Sequence, residues 1–309
     1  MTTIRIGTRA SALARAQTSW VAERLGPALG VDVELVNVVT EGDRSSAPLT
    51  EIGGQGIFVG AVRDALVRGE VDVVVHSLKD LPTVADHRVV LAAVPQRGDP
   101  RDSLVARDGL TLGELPVRSR VGTGSPRRTA QLHALGLGLD VVAIRGNVDT
   151  RLRKVASGEF DAVVLARAGL VRLERTDAIT ENLDPIQMLP APGQGALAVE
   201  VAAHAARLAT DIEQVLDDPG SRATVLAERS LLRALEAGCT APVGALADLA
   251  DGDDGAEIWL RGVVAATDGS HLVRLSASGR PDDAEGVGRR LGEDLLAEGA
   301  ARLMQEQAS

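Results

Sequence analysis

The stretch 71–83, VDVVVHSLKDLPT, narrows the choice of fold more than any other. Its first five residues are valine broken only by Asp72, the pattern of a strand buried on both faces of a parallel sheet, which predicts an α/β chain. The run stops at His76. With Ser77, Lys79 and Asp80, four polar or charged side chains fall within five residues before Pro82 closes the segment. In open α/β sheets ligands bind beyond the carboxyl ends of the strands, so this cluster is a site candidate by geometry, with Asp80 foremost. The plainer alternative is that Lys79 and Asp80 are solvated loop charges.

A chain of 309 residues exceeds a single core and predicts two or three domains. Aromatic residues make up only 1%, so Val, Leu and Ala must build the cores. The formal net charge of -10 argues against nucleic acid or an anionic membrane as a partner, and it makes any local concentration of arginine a pointer to a small anion. One cysteine, Cys239, excludes an intrachain disulfide and favours a reducing compartment. The amino terminus shows no apolar leader and no stretch is long enough to span a bilayer, which reads as a soluble cytoplasmic protein. The five histidines are scattered at no metal-ligand spacing, so no protein-built metal site is expected.

Along the chain, a strand over 4–7 leads through Arg9 to Ser11, which can cap a helix that Gly26 and Pro27 end near Leu25. A strand over 31–39 precedes the polar stretch 40–51, either a lid or a disordered loop. IGGQGIF, 52–58, opens a helix to about Arg68, but its glycine spacing is wrong for a dinucleotide site. Residues 89–94 read as a strand and 95–102 as a connection between domains.

A second unit repeats one pattern three times: a strand, then arginine. Strand 120–122 runs into TGSPRR, with Ser125 at an N-cap, Pro126 at the first helical position, and Arg127 and Arg128 in the first turn. Cations there oppose the helix dipole by a few tenths of a kcal/mol or about that, so the placement favours an anion site over stability. Strand 139–144 enters RGNVDTRL, with Arg145, Arg151 and Asn147 as a cap; strand 160–165 leads to Arg172. Such an edge suits a ligand with several carboxylates, and phosphates fit the charge equally well. LPAPGQGALAVEV, 189–201, reads as a crossing that returns the chain to the first domain. Helices over 204–215 and 221–235, the loop EAGCTAPVG with Cys239, a hairpin of 257–265 with 271–277, and a helix over 284–305 complete a small α+β domain. A lone loop cysteine is either a small buried hydrophobe or a nucleophile or attachment point.

Taken together, VHSLKDLPT, VGTGSPRR, RGNVDTRL, LPAPGQGALAVE and the GC of EAGCTAPVG resemble the porphobilinogen deaminase (hydroxymethylbilane synthase) family, from Arg5 to the C-terminal helix. The resemblance implies two lobes like those of periplasmic binding proteins, with an active-site cleft between them, plus a small C-terminal α+β domain. The domains it implies are 1–96 with 197–217, then 97–196, then 218–309. It implies a transferase that deaminates and condenses four porphobilinogen molecules on a dipyrromethane primer, held by a thioether to Cys239, and releases hydroxymethylbilane and ammonia. Asp80 matches the catalytic aspartate. Arg9, Ser11, Phe58, Ser77, Lys79, Thr123, Ser125, Arg127, Arg128, Arg145, Asn147, Arg151, Arg172 and Gln194 match positions that bind substrate or cofactor. A monomer without metal, nucleic acid or membrane partner is implied, with 40–51 as a lid. Two departures stand out: Gln55 where the family commonly has lysine, and Gly124 and Pro126 for the more usual serine and leucine. A non-catalytic binding module for polycarboxylates is the competing class, and the cysteine loop speaks against it.

Overall fold

Valine-rich runs and short strand-to-helix corners build two sheets on one plan. The computed structural model describes residues 3–38, 56–238, 241–252 and 255–305. They fold as two compact units, Met1–Gly98 with Ala196–Arg222 and Asp99–Gly195 with Ala223–Ser309.

The first unit contains β1 (Thr3–Thr8), α1 (Ala12–Leu29), β2 (Asp32–Asn37), α2 (Gly56–Val67), β3 (Val73–Ser77) and β4 (Val89–Ala93), completed by β10 (Leu197–Ala202) and α6 (Ala206–Leu216). Its sheet runs β2-β1-β3-β10-β4, with β1 parallel to β2 and β3 and with β10 antiparallel to both neighbours. As the valine run implies, β3 is buried on both faces. Val73 and Val75 pack with Ile4, Ile6, Val199 and Val201 under α1 and α6, while Val74 turns onto Val62, Ala65 and Leu66 of α2. Each such side chain contributes about 1.5–3 kcal/mol when fully buried. Asp72, the break in the run, is matched by Arg5, whose Nη2 donates to Oδ1 at 2.8 Å and whose backbone N–H donates to Oδ2 at 2.8 Å.

Gly26 and Pro27 do not end α1. The helix runs on to Leu29 with Pro27 inside its last turn, and Gly30, at φ 64°, closes it in the left-handed conformation. A proline so near the end forfeits only one helical hydrogen bond, and the residue that adopts positive φ sets the stop.

The second unit contains β5 (Asp102–Ala106), β6 (Arg120–Gly122), α3 (Pro126–Ala134), β7 (Asp140–Val142), α4 (Val148–Ala156), β8 (Ala162–Ala166), α5 (Arg167–Arg172) and β9 (Glu181–Asn182). The sheet order is β7-β6-β8-β5-β9, with three parallel strands and then the antiparallel β5, which repeats the plan of the first unit. The same unit carries α7 (Pro219–Ala234) from Ala223 onward, β11 (Val243–Gly252), β12 (Gly255–Ala265), β13 (Leu272–Gly279), α8 (Ala284–Ala297) and α9 (Ala300–Gln305). Here a three-stranded antiparallel sheet is covered by α7 and α8 through Leu231, Ile258, Leu260, Val264, Val287, Leu291 and Leu295. The helices approach so closely that a Cβ on Gly288 would collide with the Ala227 carbonyl oxygen. The expected single helix over 284–305 is broken before α9, where Gly299 takes φ 93°. β11 escapes the sequence reading because VGALADLADG lacks the β-branched and aromatic residues that mark strands. Two α/β lobes and a small C-terminal sheet-and-helix domain are the fold class the sequence predicts.

Candidate active site

In the first unit, β3 delivers the polar cluster and a single 3-10 turn, Leu78–Asp80, aims it. Leu78 and Leu81 are the buried anchors of that turn, and the Leu78 N–H donates to the Ala196 carbonyl at 3.0 Å. Fixing both leucines leaves Lys79 half-buried and Asp80 exposed. Ser77 accepts a hydrogen bond from Nε2 of the buried Gln17 at 2.8 Å, which leaves its own hydroxyl proton for another acceptor. At the neighbouring β1–α1 corner, Ser11 caps α1 by accepting from the Ala14 N–H at 3.2 Å, and Arg9 is half-buried just before it.

Below this surface lie three polar groups: Arg63 of α2, Glu200 of β10 and His76. Burial pushes the His76 pKa below the ordinary histidine value; Glu200 and Asp80 oppose the shift, and Arg63 and Arg9 reinforce it. Burial thus favours the neutral imidazole.

In the second unit the parallel strands β7, β6 and β8 all deliver arginine to the same sheet edge, as their repeated pattern implies. The pair in the first turn of α3 is not the open anion cradle expected from the sequence. Arg127 and Arg128 are 3% and 6% exposed, and both close on Asp102, which is fully buried at the start of β5. Arg128 donates to Asp102 Oδ1 from Nη2 at 2.7 Å and from Nε at 3.1 Å, and Arg127 Nη2 lies 2.8 Å from Oδ2. Gln194, 1% exposed, adds a bond from Nε2 to Oδ1 at 2.9 Å. Burial alone would raise the Asp102 pKa, but the two guanidinium groups and the Arg128 and Gln194 hydrogen bonds hold it well below the usual carboxylate range. The anion that justifies two cations in a first helical turn is thus internal. Two cations against one carboxylate still leave a net positive charge there.

Further charge lies along the same edge. Arg151 and Arg172 are half-buried and bond only backbone oxygens, Arg151 Nε to Gly146 at 2.9 Å and Arg172 Nη2 to Gly195 at 2.6 Å. Neither has a carboxylate partner among the described residues. Burial, reinforced by Arg128, pushes the Arg151 pKa down, and burial pushes that of Arg172 down to about 10. Asn147 caps α4 by accepting from the Thr150 N–H at 2.9 Å, with Arg145 exposed beside it. Thr123 is buried and accepts from the Ser125 N–H at 3.2 Å, whereas the Ser125 side chain, at the N-cap of α3, makes no capping bond.

The backbone of Phe58 belongs to α2; its side chain, Cys239, Gln55 and the stretch 40–51 lie outside the described residues. Sequence reasoning missed the groups that brace the site. Asp102 and Glu200 each carried a signal, the one carboxylate of a largely apolar strand, since such a group is buried only with a partner. Glu228 is a third: fully buried in α7, it accepts from the N–H groups of Gly193 at 2.6 Å and Ala247 at 2.8 Å. It thereby pins the LPAPGQG crossing.

Among the described residues no helix is long and apolar enough to cross a membrane. A solved periplasmic substrate-binding protein of an ABC transporter from Coxiella burnetii aligns at a TM-score of 0.44 with 13% identity, over 73% of this chain and 94% of that one. A family model described as porphobilinogen deaminase, dipyromethane cofactor binding domain, matches residues 4–210, and one described as porphobilinogen deaminase, C-terminal domain, matches 222–297. The porphobilinogen deaminase of Nocardia farcinica is 56% identical over 100% of this chain and 90% of its own length. Porphobilinogen deaminase 1 of Streptomyces avermitilis is 57% identical over 98% of both chains, and the Mycobacterium tuberculosis enzyme is 56% identical over 97% of this chain and 98% of its own. With two family models covering most of its length and relatives matched at more than half identity from end to end, the chain belongs to the porphobilinogen deaminase family.

Proposed function

We propose that this chain deaminates porphobilinogen and joins four such units head-to-tail on a dipyrromethane primer attached through a thioether to Cys239, releasing hydroxymethylbilane. The observation that carries the reading is the pair Arg151 and Arg172, half-buried cations with no carboxylate partner among the described residues. A buried charge of this kind is stable only with a counter-charge, and the acetate and propionate arms of pyrrole ligands supply carboxylates. The residues therefore fit the group. Arg128, Arg151 and Arg172, with Arg145 and the uncommitted Ser125 hydroxyl, would hold its acid arms, and residues 218–309 would present it on the loop of Cys239.

When bound, dipyrromethane supplies the free pyrrole carbon to which the first substrate unit is joined. The chain's own contribution is electrostatic. Loss of ammonia and formation of the new carbon–carbon bond both place positive charge on a pyrrole N–H, and a fixed carboxylate stabilises such charge where it develops. Asp80, held at a strand end by two buried leucines, is that carboxylate, and it can also exchange a proton with the leaving amine. Ser77 and Lys79 beside it in the chain, and Arg9 and Ser11 at the neighbouring β1–α1 corner, serve as acid-binding groups, and the resemblance assigns Phe58 to the reacting ring. Arg127, Thr123, Asn147 and Gln194 act one step back, fixing Arg128 and the strand-end loops. The enzyme works as a cytoplasmic monomer without metal, nucleic acid or membrane.

Intact-protein mass spectrometry of the purified chain and of Cys239→Ser tests this. The expected result is an excess of two linked pyrrole units in the wild type, present as isolated or gained on adding porphobilinogen, and absent from the variant. A polypeptide mass unchanged by porphobilinogen would refute the covalent primer.

A further inference from the structure

His76 precedes Asp80 by four residues and takes no part in the chemistry above. Along β3 its side chain shares the face of Val74, which packs against α2, and β10 sets Glu200 opposite Val74 on that face. Arg63 of α2 closes on Glu200 as a two-pronged fork, Nε to Oε2 at 2.8 Å and Nη2 to Oε1 at 2.6 Å. That pair is neutral by itself, so no counter-charge is required of His76. Its Nε2 is fully buried, lies 3.5 Å from Glu200 Oε2, and has no hydrogen-bond partner among the described residues. A ring nitrogen facing a carboxylate oxygen carries the proton, because a lone pair there would be repelled by the anionic oxygen. Glu200 from β10, Arg63 from α2, Asp80 from the following turn and Arg9 from the β1–α1 corner are the charged groups that act on the ring.

We propose that His76 is a positioning residue for Asp80: a neutral imidazole, fixed as its Nε2–H tautomer against the Arg63–Glu200 pair, that keeps cationic charge from forming at the strand end from which the Asp80 turn departs. The proposal rests on the reading that Asp80 stabilises positive charge on the substrate. Protonating the ring would turn its contact with Glu200 into an ion pair and add a cation that competes with the substrate nitrogen for the Asp80 field. The enzyme should therefore lose activity on the acid side as His76 titrates.

Two measurements on the full-length chain test it. The first is a nitrogen–proton correlation spectrum of wild-type protein with labelled histidine, assigned by replacing His87, His133, His204 and His271 in turn. The expected ring is neutral at pH 7 with its proton on Nε2; an imidazolium at pH 7, or a proton on Nδ1, overturns the proposal. Because this spectrum is taken on the wild type, it decides even where a His76 variant does not fold. The second is the pH profile of kcat, in which His76→Gln is expected to remove an acid limb lying below pH 6.5, the ordinary histidine value, and to leave KM unchanged. An identical limb in His76→Gln overturns the proposal. An undiminished kcat in Asp80→Asn would instead sink the reading of Asp80, and it is measured separately from the tautomer.

Discussion

Replacing Asp102 by asparagine removes one negative charge from a site where it faces two buried guanidinium groups. The isostere keeps Oδ1 as an acceptor for Arg128 Nη2 and Gln194 Nε2, now 2.7 and 2.9 Å away, so shape and most hydrogen bonds survive and the charge alone is tested. Breaking a buried ion pair by removing one partner costs about 3–5 kcal/mol, mostly because the other charge is stranded. Here two charges are stranded, so the upper end applies, a loss of about three to four decades in the folding constant. Against a typical domain stability of about 5–15 kcal/mol this is severe without being fatal. The chain has two tryptophans, Trp20 in the first unit and Trp259 in the second, so urea unfolding by fluorescence in a Trp20→Phe background reads the second unit. Asp102→Asn should shift the Trp259 transition to much lower urea. Arg127→Met, which leaves Arg128 and Asp102 as a matched pair, should shift it less. A change in Asp102→Asn of under about 1 kcal/mol, the range of ordinary surface substitutions and a little beyond, would refute the electrostatic account of this cluster.

Three further outcomes are expected. Asp80→Asn, at an exposed position, should leave urea unfolding unchanged while kcat falls by about 10²–10³, the cost of removing a preorganised charge-stabilising group. Arg172→Ala should weaken binding of carboxylate-bearing substrate by about 1.5–3 kcal/mol, roughly 10- to 150-fold, with loss read in kcat/KM, and Arg172→Lys should recover part of it. His76 has a pKa below 6.5 when folded and an ordinary one when unfolded, so unfolding takes up a proton. Its contribution to stability is complete above about pH 6.5 and is lost as pH falls towards the folded value; chemical denaturation across pH 5–8 should show this slope, absent in His76→Gln.

The parts of this fold that local chemistry dictates were legible in the sequence. Val71–Val75 announced a doubly buried strand, and three repetitions of strand followed by arginine announced the sheet edge that gathers them. What escaped was whatever depends on a partner distant in the chain. Arg127 and Arg128 read as an open anion site because their anion, Asp102, is 25 and 26 positions earlier, the last residue of the 95–102 connection in the sequence and the first of β5 in the structure. Gly26 and Pro27 read as a helix stop because local breakers are visible in sequence, whereas the closing geometry at Gly30 depends on which residue adopts positive φ. β11 was invisible because its pairing with β12 supplies what its own composition does not. Asp80 was singled out by its place at a strand end and Cys239 by resemblance, while Gln17, which holds Ser77, and Glu228, which pins the 189–195 crossing, belong to no quoted motif and were found only through their hydrogen bonds.

The strand order of the first sheet governs when it can form on the ribosome. β10 lies between β3 and β4, yet it begins at Leu197 while β4 ends at Ala93. A nascent chain that has already released every earlier strand of this sheet therefore still lacks the one that joins β4 to the rest. At typical elongation rates the intervening stretch of roughly 100 residues takes about 5–20 s to synthesise. Through that interval the facing edges of β3 and β4 expose unpaired backbone groups and valine side chains. The second unit meets no such delay in its own sheet, since all of β5 to β9 emerges consecutively. The lobe that begins the chain is thus completed after the sheet of the lobe that follows it, and the first unit is the one that needs protection from premature association during synthesis.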